Sequence, residues 1–304
     1  MIHIIITTFK EPSIKKAIES VLNQNIKEEY ELIISAPDEE TKNIVEIYKK
    51  NNPQIKYFKD PGKGKSYALN LLLKNLYKNN LNDVLILTDG DVYTSKNSIN
   101  EIMNKFEEKK VGVVTARPVS QNPRNNMFGY WSHLLLDVGA HEISRKKRYK
   151  ENKFIECTGY LFAFRNSIIT KFPLDVAEDA IIPYYFWEKN YKIAYAEKAL
   201  VYVKWPTNLK DWIKQKKRAA DAHTKLTKYA KNHPKVKSFK SEIIEGGVKG
   251  FFHIFSYPKN PKEFLWTLLL FPLRLYIWLD LHYDLKFKRK QYQDGWERVD
   301  STKN

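Results

Sequence analysis

The chain holds one cysteine, Cys157, in 304 residues. A lone thiol excludes an internal disulfide framework and fits a reducing compartment, with Cys157 expected as a small buried hydrophobe. The N-terminus has no basic leader, no long apolar core and no small-residue cleavage site, so no signal peptide is expected. Internal repeats and low-complexity tracts are also missing. The longest apolar run, Phe264 to Leu279, is broken by Pro272 and Arg274 and is short of the ~20 residues of an ordinary spanning helix.

What is present is a globular composition, 43% hydrophobic and 14% aromatic. That content excludes disorder, and the length suits one large or two modest domains. Net charge is +17, and it is unevenly placed: residues 204–304 carry 22 Lys and Arg against 10 Asp and Glu. Such a field attracts nucleic acid, anionic lipid or phosphorylated ligands, or is simply a solvated lysine-rich surface.

Strand patterns at Ile2 to Thr8, Glu31 to Ser35, Ile55 to Phe58, Val84 to Thr88 and Val111 to Thr115 alternate with helical patterns. The alternation predicts an α/β fold with a mostly parallel sheet and helices on both faces. A long helix is expected over about 125–144, then strands at Gly159 to Phe164, Lys192 to Ala196 and Leu200 to Val203. A second long helix follows Pro206, capped by Thr207 or Asn208. Gly246-Gly247 and the prolines from Pro258 punctuate the remainder. The expected division is a catalytic domain over 1–237 and a helical module over 238–304. Within that module, Phe264 to Leu279 has basic flanks (Lys259, Lys262, Lys286, Lys288, Arg289, Lys290) and contains Trp266, Tyr276 and Trp278. It reads as a helix lying in an anionic membrane surface, or as one packed on the catalytic domain.

Four segments carry chemistry. The run Val84 to Thr88 ends in Asp89-Gly90-Asp91. Ligands of open α/β sheets bind outside the carboxyl ends of the strands, where two carboxylates can hold a hard divalent cation; the bland alternative is an Asp-Gly turn. Asp60-Pro61-Gly62-Lys63-Gly64-Lys65-Ser66 precedes a helix, where glycines and a helix N-terminus favour an anion. It falls short of a phosphate loop, because Lys59 stands where that motif needs glycine. Glu178-Asp179 opens a helix, as dipole partners or with one as a general base. Gln215 and Arg218 share a helix face and can reach an anionic leaving group. His133, Asp137 and His141 fall at i, i+4 and i+8, a weaker candidate metal stripe.

In this order the segments resemble family-2 glycosyltransferases of the GT-A fold, over roughly residues 1–220. Ile4 to Glu11 is similar to that family's first strand and nucleotide loop, and Ser20-Val21-Leu22-Asn23-Gln24 to its following helix. Gly64-Lys65-Ser66-Tyr67-Ala68-Leu69-Asn70 resembles its Gly-Lys-x-x-Ala-Leu-Asn segment, and Asp89-Gly90-Asp91 its Asp-x-Asp. Glu178-Asp179 matches its Glu-Asp pair, and Gln215 with Arg218 its Gln-x-x-Arg motif. The resemblance implies an inverting transfer from a nucleotide sugar, most often a UDP-sugar, with Mn²⁺ or Mg²⁺. Asp91 would be the metal ligand, with Asp89 beside it toward the donor, and Asp179 the base. Thr8, Phe9, Glu11, Asp38, Lys65, Gln215 and Arg218 would bind the nucleotide; Thr158, Gly159 and Glu178 would line the sugar or acceptor pocket. Of the acids after the second strand, only Asp38 is placed to meet the base.

Two departures matter. Ala219 stands where processive members have tryptophan, and no multi-helix membrane channel follows. The resemblance therefore implies a non-processive enzyme on the cytoplasmic side of the cell membrane, acting on a saccharide or lipid-linked acceptor without nucleic acid. A P-loop-like NTPase or kinase using Gly62 to Ser66 and Asp89, and a basic nucleic-acid binder, are the other readings.

Overall fold

The computed structural model describes residues 1–224, 226–230, 234, 244, 250–286 and 300–302. Eight strands form one sheet: β1 Ile2–Thr7, β2 Tyr30–Ala36, β3 Ile55–Lys59, β4 Asn80–Asp89, β5 Tyr93–Thr94, β6 Val111–Ser120, β7 Leu161–Asn166 and β8 Lys192–Val203. Their order is β3-β2-β1-β4-β7-β6-β8-β5. β7 runs antiparallel to β4 and β6, and β5 antiparallel to β8; the other pairings are parallel. The expected α/β architecture is therefore present.

Apolar alternation within each strand supplies two cores. Ile4 and Ile6 of β1 pack on one face with α1 (Ile14–Leu22) and α4 (Ser98–Phe106). Ile5, Ile33 and Leu87 pack on the other with α3 (Lys65–Leu76) and α7 (Glu178–Glu188). Both faces of β1 are thus covered, which is why it reads as a continuous apolar run. α2 (Glu39–Lys49) flanks the β3 edge. After β3 the chain returns to the far side of β1, so β1 and β4 are neighbours where the order reverses. Their carboxyl ends make the crevice that ligands of such sheets use.

Several elements differ from expectation. The segments 192–196 and 200–203 are one strand, because a bulge between the Ala116 and Arg117 pairings absorbs residues 197–199. The helix expected over 125–144 begins as α5 (Met127–His133), continues as a π-helix over Leu134–Lys146 and ends as α6 (Lys147–Lys150). α8 spans Leu209–Thr224, and Asn208 Oδ1 accepts the Asp211 N–H at 2.9 Å, capping it as expected; α9 (Leu226–Tyr229) follows. The expected boundary at 238, and Lys288, Arg289 and Lys290, lie outside the described residues.

α10 (Phe251–Ser256) packs on the π-helix, and α11 (Pro261–Lys286) packs on α5 and α8. Pro272 does not end α11, which is longer than its apolar run suggested. Leu270 and Ile277 join Tyr130, Trp131 and Trp212 in a third core, each worth about 2 kcal/mol of burial. Polar ties reinforce it: Arg124 to Glu263 at 2.8 and 2.9 Å, Tyr130 to Thr267 at 2.5 Å, and Lys217 to Asp280 and Asp284 at 2.6 Å each. The opposite face of α11 is exposed and apolar: Phe264, Leu265, Leu268, Leu269, Phe271, Leu275, Tyr276 and Leu279. The stretch Pro261–Asp284 is long and apolar enough to cross a membrane, with only 22% buried within the protein.

Candidate active site

The site forms where β1 and β4 end. Thr7 pairs with Asp89 across the two strands, and its hydroxyl donates to Asp89 Oδ1 at 3.0 Å. The Gly90 N–H donates to the Thr7 carbonyl at 3.0 Å, so the Asp-Gly step closes against β1. The Lys65 ammonium, in the first turn of α3, lies 2.7 Å from Asp89 Oδ1 and 2.6 Å from Glu178 Oε1. Burial works against that charge, but the two carboxylates overcome it and hold Lys65 well above the ordinary lysine range. Burial pushes Asp89 up, Lys65 opposes this, and Asp91 adds to the push.

The neighbouring wall carries Asp179. Gly159 approaches it so closely that a β-carbon there would lie 3.2 Å from Asp179 Oδ2. The Thr158 N–H donates to Thr115 Oγ1 at 3.0 Å, fixing this loop to β6. Asp179 is half-buried whereas Glu178 is buried on Lys65, so of the pair Asp179 is the one open to an incoming group. Cys157, just before the loop, is buried and its thiol is pushed up by that burial, as expected of an inert residue.

Tyr160 is a site residue that the sequence did not reveal. Its phenol is pushed up by burial and then by Asp91, while Arg218 pulls it back and Asp89 adds a further upward push. Tyr160 thus stands among both carboxylates and the α8 arginine. The structure brings Arg218 to the Asp-x-Asp side, where it is exposed; Gln215, one turn earlier, is half-buried with its Oε1 unpartnered.

Around the loops that follow β1, β2 and β3 the acids differ in commitment. Asp38 Oδ1 accepts the Thr41 N–H (2.9 Å) and hydroxyl (2.8 Å), and Oδ2 accepts the Lys10 N–H at 3.0 Å. Both oxygens therefore hold backbone, capping α2 and pinning the Phe9-Lys10 loop. Glu11 Oε1 likewise accepts from the Ser13 N–H and hydroxyl. Asp60, at the end of β3, is only 2% exposed. Its Oδ1 accepts the Gly62 N–H at 2.6 Å, while Oδ2 makes no hydrogen bond of ordinary geometry. Phe9 is half-buried beside Lys10, and Thr8 is buried. Gly62 and Gly64 take φ of +71° and +105°, which favours glycine at both positions of this loop.

The His133-Asp137-His141 stripe does not bring three ligands together, although His133 Nδ1 lies 4.0 Å from Asp137 Oδ2. His133 bonds the Asn122 carbonyl at 2.8 Å and His141 the Tyr195 hydroxyl at 2.7 Å. Among the described residues no group of three or more His, Cys, Asp or Glu is placed to hold a metal unaided. Asp89 and Asp91 carry hard oxygen donors of the type that Mg²⁺ or Mn²⁺ takes, so the pair fits such an ion.

Sheet order, switch-point crevice and paired carboxylates define a GT-A-type fold. The chain belongs to glycosyl transferase family 2, whose model matches residues 3–172, and it is a glycosyltransferase. No curated protein sequence matches it. Among solved structures it is similar to the mannosyltransferase PcManGT from Pyrobaculum calidifontis in complex with GDP-Man and Mn²⁺. The TM-score is 0.63 at 15% identity, covering 95% of this chain and 88% of that one. It is also similar to S. aureus TarS 1–349 in complex with UDP-GlcNAc, at a TM-score of 0.50 and 16% identity, covering 93% of this chain and 80% of that one. These likenesses establish the fold, and family membership leaves the kinase and nucleic-acid readings without support.

Proposed function

We propose that this enzyme moves a sugar, with inversion, from a nucleoside diphosphate sugar to a hydroxyl of a saccharide or lipid-linked acceptor at an anionic membrane surface. The observation that carries the reading is that Lys65 bridges Asp89 of the Asp-x-Asp segment and Glu178, the neighbour of Asp179, at the β1–β4 switch point. The two solved relatives hold GDP-Man with Mn²⁺ and UDP-GlcNAc, which supports a nucleotide-sugar donor here.

Asp91 and Asp89 would hold Mn²⁺ or Mg²⁺, which when bound neutralises charge on a departing nucleoside diphosphate. Lys65, Gln215 and Arg218 bind that diphosphate from α3 and α8, through charge-assisted hydrogen bonds. Thr8, Phe9 and Glu11 flank the nucleoside. Asp179, half-buried above Gly159, takes the proton of the acceptor hydroxyl as it attacks the sugar. Thr158, Gly159 and Glu178 shape the floor on which donor sugar and acceptor meet.

The membrane component rests on α11. Its inner face is pinned to α5 and α8, so the helix lies along the domain and presents an apolar outer face. Lys259, Lys262 and Lys286 are exposed around that face, which suits anionic headgroups on the cytoplasmic side.

The test is a panel of UDP- and GDP-sugars with Mn²⁺, read by thermal shift and by transfer. A matching donor raises the melting temperature, because a ligand of the native state stabilises it by mass action. Asp179→Asn should keep that shift and lose transfer by about a hundredfold or more. Wild-type turnover in the variant would assign the base elsewhere.

A further inference from the structure

Lys65 is tied to one carboxylate of the Asp-x-Asp segment and to the buried member of the Glu-Asp pair. Its ammonium lies 2.7 Å from Asp89 Oδ1 and 2.6 Å from Glu178 Oε1. Asp89 Oδ1 already accepts the Thr7 hydroxyl, so this oxygen is fully engaged within the protein. A second, independent observation bears on the same place: the described residues offer no third carboxylate, histidine or cysteine to complete a metal site.

We propose that Lys65 is an internal counter-cation that keeps the Asp89-Asp91 pair closed to metal until a nucleoside diphosphate arrives. The inference rests on the reading of Asp89 and Asp91 as the metal-holding pair. An ammonium and a divalent cation on one carboxylate repel each other, and that repulsion is strong in a partly buried crevice. A diphosphate relieves it twice over. Its oxygens accept the ammonium in place of Asp89, and they fill the coordination positions that two aspartates leave open. Metal and nucleotide therefore bind with positive coupling, and Lys65 is the residue through which the coupling acts. Glu178 keeps Lys65 close by in both states, which gives the buried member of the Glu-Asp pair a positioning role distinct from that of Asp179.

Binding of Mn²⁺ to the full chain, followed by electron paramagnetic resonance with and without UDP or GDP, tests this. The wild type should bind Mn²⁺ alone weakly, and about tenfold or more tightly when one of the nucleotides is present, within the usual range of coupling between sites. Lys65→Met should tighten Mn²⁺ alone by about tenfold and abolish the coupling. Lys65→Arg, which keeps the charge, should keep Mn²⁺ alone weak. Wild-type binding of Mn²⁺ alone as tight as with nucleotide overturns the proposal, whether or not Lys65→Met folds. So does a folded Lys65→Met with unchanged affinity for Mn²⁺ alone. A protein that binds neither UDP nor GDP under any condition would remove the functional reading itself, whereas uncoupled binding of both ligands removes this inference only.

Discussion

Gly90 lies so close to Thr8 that a β-carbon on it would sit 2.4 Å from Thr8 Oγ1 and 2.6 Å from Thr8 Cβ. The glycine between the two aspartates is therefore there for close approach. No left-handed turn is involved, since its φ is not positive. It lets the end of β4 press against the loop after β1, and so places Asp89 beside Thr7 and Asp91 beyond the strand.

Gly90→Ala should consequently damage the site more than the fold. The added methyl must displace Thr8 and the Phe9-Lys10 loop, an overpacking cost of about 1–3 kcal/mol. Because this loop is the proposed wall of the nucleoside pocket, nucleotide affinity should fall about tenfold, equivalent to about 1.4 kcal/mol, as measured by titration calorimetry. Gly139→Ala is the matched control: no atom lies within 4 Å of its added carbon. Its stability should change by less than about 0.5 kcal/mol. Equal nucleotide affinity in the two variants would show that the Gly90–Thr8 contact does not shape the site.

The strands that build the crevice were legible because β1 and β4 are buried on both faces, and their apolar runs stop abruptly at polar residues. Asp89 and Asp91 were legible for the same reason, being the first carboxylates past such a run. Residues 197–199 read as a gap between strands, since a bulge breaks the period of two without ending the pairing. The π-helix was hidden because a run of 13 residues does not separate its pitch from that of an α-helix. Pro272 read as a helix breaker, yet it lies on the exposed face of α11, and the inner-face contacts carry the helix through it. The engagement of Lys65 with Glu178, 113 residues away in sequence, has no local signature. Tyr160 gave none either, because its partners come from β4 and α8. The holds of Asp38 on Thr41 and of Asp60 on Gly62 are local, whereas the Lys10 N–H that occupies the second oxygen of Asp38 comes from another loop and left no local trace.

The attachment of α11 should be acid-sensitive through Glu263. Its carboxylate accepts Arg124 Nε and Nη2 at 2.9 and 2.8 Å and the Lys259 N–H at 2.7 Å. The Arg124 hydrogen bonds, opposed by burial, hold it below the ordinary glutamate range. A carboxyl lowered on folding contributes stability that is complete above its unfolded pKa and lost as pH falls through the lower folded one. Destabilisation should thus begin below about pH 4.3. Glu263→Gln should remove that part of the acid response and cost about 2 kcal/mol at neutral pH. Denaturant melts followed by tryptophan fluorescence, with Trp131 donating its indole N–H to the Trp266 carbonyl at 2.7 Å within this contact, would measure both. An unchanged acid limb in the variant would mean that other carboxylates set it.

The outer face of α11 yields the last prediction. Leu268 and Leu275 are 44% and 45% exposed and lie on the side away from Leu270 and Ile277. In water such a stripe has nothing to pack on, whereas a bilayer surface takes each leucine with about 1.5–3 kcal/mol at full burial. The exposed Lys259, Lys262 and Lys286 add attraction to anionic headgroups, a contribution that salt weakens while the apolar part persists. The protein should therefore sediment with phosphatidylserine-containing vesicles even in high salt. Leu268→Glu with Leu275→Glu should lower that partitioning by about tenfold or more, because the two half-exposed leucines together bring about 1.4 kcal/mol or more and the new carboxylates are repelled by anionic headgroups. Thermal stability should move little, since neither side chain is part of the third core. A wild-type protein that stays in the supernatant with anionic vesicles would leave the apolar face to some other partner, while a doubly charged variant that still sediments would place the membrane contact elsewhere on the molecule.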